Sequence, residues 1–206
     1  MTSQAVDPDV SRVKFDREIS DFRALAGDYG RRGWFVVEAD FPTAFVVLGI
    51  PQLKPAGLLC GVLFDYADYD LRPPSVRFVD PFTRVPYRGS ELPTRMLRQT
   101  EIDPPPGFPI MPGAAGARMI QQQPLIIDYE GVGSDEPPFL CLAGVREYHD
   151  HPAHSGDRWE LHRPAGAGRL IRLLEVIDNY AIRPIAGYGV NLVPQVAGFT
   201  QNEVPN

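Results

Sequence analysis

The chain has 206 residues, 44% of them hydrophobic and 22% charged, a composition and length that suit one sizeable core. Its net charge of −6 argues against an electrostatic grip on nucleic acid or on an anionic membrane, so neither is an expected partner. No run approaches the roughly 18 to 20 apolar residues that would span a bilayer. The opening "MTSQAVDPDVSRVKFDREI" lacks the basic and apolar runs of a signal peptide, and a cytoplasmic location is expected.

In chain order, Phe15, Ile19, Phe22 and Ala26 recur at helical spacing among charged residues. They predict a first helix ended by the glycines of "GDYGRRG". The β-branched and aromatic runs "WFVVEAD", "TAFVVLGI" and "GLLCGVLFDY" then read as three strands of an antiparallel meander. A fourth, over residues 75–80, is enclosed by the prolines of "PPSVRFVDP", which remove ladder donors. Residues 81–123 read as irregular, most of all "DPPPGFPIMPGAAGA", and a connection this long is usually functional or mobile. "PLIIDYEG" can add one short strand. Leu170, Leu173, Leu174, Ile177 and Tyr180 form the apolar stripe of a closing helix. The fold class is therefore α+β: an N-terminal helix, a four-stranded antiparallel meander and C-terminal helices. A single domain is expected over residues 13–185, with residues 1–12 and 191–206 poorly ordered.

Chemistry concentrates in "FLCLAGVREYHDHPAHSGDRW", which holds one of the two cysteines and three of the four histidines. Cys60, in the apolar run "AGLLCGVLF", reads as a free thiol in a reducing cytoplasm. Cys141 follows the proline break of "SDEPPFLCL", where a loop-borne thiol is reachable. A thiolate attacks an activated carbonyl readily, and its thioester stays reactive to amines. His149, His151 and His154 can supply a cation that raises the thiolate fraction, or act as general bases near neutral pH. Asp157 can orient one of them or help deprotonate an incoming amine. No glycine-rich nucleotide loop and no GxSxG elbow is present in the sequence.

The segment "VLFDYADYDLRPPSVRFVDPFT" resembles the ubiquitin-conjugating enzyme family, in which a meander strand runs into "YPxxPPxVxF". Tyr69, Pro73, Pro74, Val76 and Phe78 hold matching positions, with Asp70 at the family's first proline. Cys141-Leu142, Trp159 and the closing helix over residues 168–180 follow the family's order, so the similarity spans residues 13–180. The family's His-Pro-Asn motif is missing, and "DYEGVGSDEPP" stands in its place, a difference that bears on aminolysis more than on thioester formation. The resemblance implies a divergent bacterial carrier, with an antiviral-defence setting. It would accept the C-terminus of a ubiquitin-like protein on Cys141 from an activating enzyme and pass it to an amine, without a cofactor.

The chain also resembles a bacterial group of such pathways whose Cys-Glu-His-His pattern implies metal. Cys141, Glu147, His149 and His154 (or His151 in place of His154) would then hold zinc, and the protein would be a non-catalytic scaffold or partner-binding module. The spacing matches neither a zinc finger nor the HExxH helix, and zinc and acyl transfer compete for the same sulfur. Two further alternatives stand beside these. One is an inactive variant that only binds the ubiquitin-like protein, and the other is a loop-rich segment whose polar groups only satisfy one another, with Tyr148 and Trp159 as core anchors.

Overall fold

Helix α1, Pro8–Ala24, begins ahead of Val13, the expected start of the domain. Asp7 sets its start by accepting from the Asp9 N–H at 2.9 Å, and Pro8 occupies the first turn, where no helical N–H is lost. Ser11, Phe15, Glu18, Ile19 and Phe22 form its buried face. A computed structural model of the chain describes residues 6–92, 94–105, 118–128, 136–187 and 189. Leu25 leaves helical geometry, so Ala26 falls in a separate short helix, α2 (Ala26–Arg31), and the glycine-rich stretch continues it instead of ending α1. The turn into the sheet comes at Gly33, with φ of 85° and a Cβ position blocked by the Gly49 carbonyl, which only glycine satisfies.

Strands β1 (Trp34–Asp40), β2 (Thr43–Ile50), β3 (Gly57–Asp65) and β4 (Ser75–Val79) pair antiparallel in the order β1-β2-β3-β4. The register sets Val46 against Val62 and Leu63 against Arg77. Helix α5, Leu170–Ile177, packs its stripe of Leu170, Leu173, Leu174 and Ile177 into one buried cluster with Phe15, Ile19, Phe22, Val46, Leu48 and Phe64. Each such side chain contributes about 1.5–3 kcal/mol on burial. Cys60 belongs to this cluster, and burial pushes its thiol up to about 12. The α5 axis continues as a wider turn over Asp178–Ile182. Glu18 ties the two helices together by accepting from the Leu170 N–H at 3.1 Å. The architecture is α+β, with an N-terminal helix, a four-stranded antiparallel sheet and C-terminal helices.

Residues 81–123 are not wholly irregular. They hold all but the last residue of a two-stranded ribbon of β5 (Leu97–Ile102) and β6 (Met119–Pro124), with Thr100 opposite Gln121. The ribbon is almost entirely exposed, so it lacks the alternation of apolar residues by which a half-buried strand is recognised. Residues 106–117 of the proline- and glycine-rich stretch lie outside the described residues, as do 129–135 and the tail 191–206. The expected short strand is β7, Ile126–Ile127, and it pairs with β8, Phe139–Leu140. Among the described residues no helix is long and apolar enough to cross a membrane.

Candidate active site

Cys141 follows β8 directly. Phe139 and Leu140 before it are buried, and the Cys141 N–H donates to the Leu125 carbonyl at 2.7 Å. The backbone is therefore fixed up to the thiol, while the residue itself stays half-buried. A turn then leads into α3, Arg146–Asp150. Gly144 sits in that turn with its missing Cβ facing the Ala167 carbonyl, a close approach that a side chain would block.

Two residues of α3 dock the site on the proline segment of the sheet. Arg146 donates to the carbonyls of Ala67 at 2.6 Å, Pro73 at 3.2 Å and Asp65 at 3.3 Å, and its backbone N–H donates to the Pro74 carbonyl at 2.9 Å. Glu147 accepts from the Ser75 hydroxyl and from the Val76 N–H at 3.3 Å. Trp159, at the start of α4 (Trp159–His162), is buried, and its Nε1–H donates to the Asp70 carbonyl at 2.8 Å. "YDLRPPSVRF" and the cysteine segment thus hold each other in place.

Cys141 Sγ lies 3.5 Å from His154 Nε2. His154 ends a short 3-10 turn, Pro152–His154, and its ring stacks on Tyr148 with centroids 3.9 Å apart. The Tyr148 hydroxyl donates to Asp157 Oδ2 at 2.6 Å, and His162 Nε2 bonds the other oxygen, Oδ1, also at 2.6 Å. One carboxylate therefore fixes the ring on which the histidine nearest the sulfur lies.

Residues 6–185 match the family model described as Y4jH-like: Y4jH family. The chain belongs to the Y4jH family. It is also 45% identical over 198 residues, 95% of this chain and 94% of the other, to "Uncharacterized protein y4jH" of Sinorhizobium fredii (strain NBRC 101917 / NGR234).

In this Y4jH-family site, burial pushes the Cys141 thiol above its ordinary value. Burial also holds His154 below its own, with His151 adding to the depression and Asp157 opposing it. Both shifts favour the uncharged forms of the pair, thiol and imidazole. The sequence leaves two roles open for a histidine here, and these directions run against the one in which a cation holds a thiolate.

The expected residues are only partly brought together. His154 reaches the sulfur, whereas His151 stacks on Phe139 and accepts from the Ala153 N–H at 3.2 Å. His149 has both ring nitrogens on backbone carbonyls, Nδ1 at 2.8 Å from Asp157 and Nε2 at 2.7 Å from Ala143. Neither nitrogen is turned to a substrate or a metal. His149 clips the Cys141 turn to the Asp157 loop. Asp157 is held below the usual carboxylate range by its bonds from Tyr148 and then His162.

The zinc set of Cys141, Glu147, His149 and His154 is likewise not assembled. Glu147 is spent on β4 and His149 on two carbonyls. Among the described residues no group of three or more His, Cys, Asp or Glu is placed to hold a metal ion. Tyr148 and His162 belong to the site, although the sequence marks Tyr148 only as a core aromatic. The sequence signal for His162 is its place at the end of the histidine-rich run.

Proposed function

We propose that this Y4jH-family protein is an acyl carrier that takes the C-terminus of a ubiquitin-like protein as a thioester on Cys141 and passes it to an amine. The observation that carries the reading is the half-buried Cys141 Sγ at 3.5 Å from His154 Nε2, on a backbone fixed by β8. In the first step the sulfur attacks the carbonyl carbon of the activating enzyme's thioester and gives its proton to His154 Nε2. The departing thiolate of the activating enzyme takes that proton back. In the second step an amine attacks the Cys141 thioester and loses a proton to His154. The Cys141 thiolate leaves and is reprotonated from the imidazolium, so both steps balance. A positioned base of this kind contributes about 10²- to 10⁴-fold in rate.

The resemblance to ubiquitin-conjugating enzymes supports the reading through the Pro73-Pro74 strand and its hydrogen bonds to the cysteine segment. The test is reconstitution with a ubiquitin-like protein and its activating enzyme. A reducible adduct is expected, lost in Cys141→Ala and turned into a stable oxyester in Cys141→Ser. An adduct that survives in Cys141→Ala would refute the assignment. The upward shift of the thiol favours a second reading, a non-catalytic module that binds the ubiquitin-like protein through the same face. That reading expects a tight complex with no covalent adduct.

A further inference from the structure

Away from Cys141, a cavity of about 330 Å³ opens between α1 and the chain leading into α5. Arg17, Arg163 and Arg169 line it, together with Tyr69, Asp70 and Gly166. Arg17 comes from α1 and Arg163 and Arg169 from the stretch leading into α5, a gathering of one sign in a protein of net charge −6. Arg32, Arg72, Arg84 and Arg95, away from this cavity, each pair with a carboxylate. Among the described residues Arg17 and Arg163 form no ion pair, and Arg169 stands 3.7 Å from Glu18.

The local carboxylates do not cancel this charge. Asp70 is taken by Lys14, and Glu18 is shared between the Leu170 N–H and Arg169, which leaves Arg17 and Arg163 without a carboxylate. Tyr69 lines the same cavity at 5% exposure, and its hydroxyl has no hydrogen-bond partner among the described residues. A phenol among the lining residues of a cavity that carries unpaired guanidinium groups suits an acceptor-rich anion. Planar guanidinium forks match the oxygens of a phosphate group, and several of them on one cavity suit a multiply charged ligand.

We propose that this cavity binds a small phosphate-bearing anion through Arg17, Arg163, Arg169 and the Tyr69 hydroxyl. The chemistry common to free pyrophosphate and to a nucleoside diphosphate is the diphosphate group. Isothermal titration of the full chain with inorganic pyrophosphate and, separately, with ADP tests it and distinguishes the sources. Saturable binding of either is expected, weakened at least tenfold in Arg163→Gln and in Arg17→Gln, and weakened less in Arg163→Lys, which keeps the charge but not the fork. Arg98→Gln, on the distant ribbon β5, should bind as the wild type does. Circular dichroism and the Cys141 alkylation rate check that each variant is folded, and the lysine variant serves if a glutamine variant is not. Binding by pyrophosphate locates a site for the anion alone, and binding by ADP only assigns it to a nucleotide. No binding at about 5 mM of either, an affinity weaker than about −3 kcal/mol, overturns the proposal. So does binding that all the arginine variants retain.

Discussion

Replacing Arg146 by alanine isolates what holds the cysteine segment to the sheet. The guanidinium is 16% exposed, donates to three backbone carbonyls and lies 3.5 Å from the Asp65 carboxylate. Hydrogen bonds to a charged group contribute about 1.5–3 kcal/mol each. They share one side chain here, and Asp65 is 37% exposed, so the sum is well below additive. We expect a loss of about 3 kcal/mol, at the lower end of the range for removing one partner of a buried charge pair. At about 2–4 °C per kcal/mol for a domain of this size, Tm should fall by about 6–12 °C. Thermal unfolding followed by circular dichroism reads this, and Arg146→Lys should lie between the two proteins. Because α3 follows the Cys141 turn, native-state alkylation of Cys141 should also accelerate in Arg146→Ala. A destabilisation within about 0.5 kcal/mol, the range of ordinary surface substitutions, would refute the docking role given to Arg146.

Three further outcomes follow from the site. In the native protein a thiol reagent should modify Cys141 and spare Cys60, which is 2% exposed. The pH midpoint of the Cys141 rate should lie above the ordinary thiol value of about 8.5, whereas a midpoint near neutrality would mean a thiolate held by a cation. Asp157 is depressed in the folded state, so its contribution to stability is complete above the unfolded value of about 3.9 and is lost as pH falls through the folded value. Curves of Tm against pH for wild type and Asp157→Asn should accordingly converge in acid, and curves that stay parallel there would contradict the assignment. Glu147→Gln should cost about 1–2 kcal/mol through Ser75 and Val76 while leaving zinc uptake in equilibrium dialysis equal to that of the wild type. A specific loss of bound zinc in that variant would restore the metal reading.

The sheet was legible because its strands bury themselves on a pattern that residue type reveals. "WFVVEAD", "TAFVVLGI" and "GLLCGVLFD" match β1, β2 and β3, and the prolines before Ser75 mark the start of β4. The same logic found the stripe of α5. It missed the β5–β6 ribbon, whose arginine, threonine and glutamine side chains face solvent and leave no burial signal. At the site, sequence proximity picked out the right segment but not the partners. Cys141 and His154 meet because a turn and a 3-10 helix fold one over the other, and Tyr148 provides the surface on which His154 lies. Glu147 and His149 are as close in sequence, yet they turn toward β4 and toward two carbonyls. Spacing alone does not encode which way a short helix points its side chains.

The most direct measurement is intact-mass spectrometry after incubation with a peptide thioester. The expected result is one acyl group per chain, removed by hydroxylamine, absent in Cys141→Ala and formed more slowly in His154→Ala. A protein that stays unmodified, or one acylated equally well without Cys141, would contradict the claim that this sulfur accepts an acyl group.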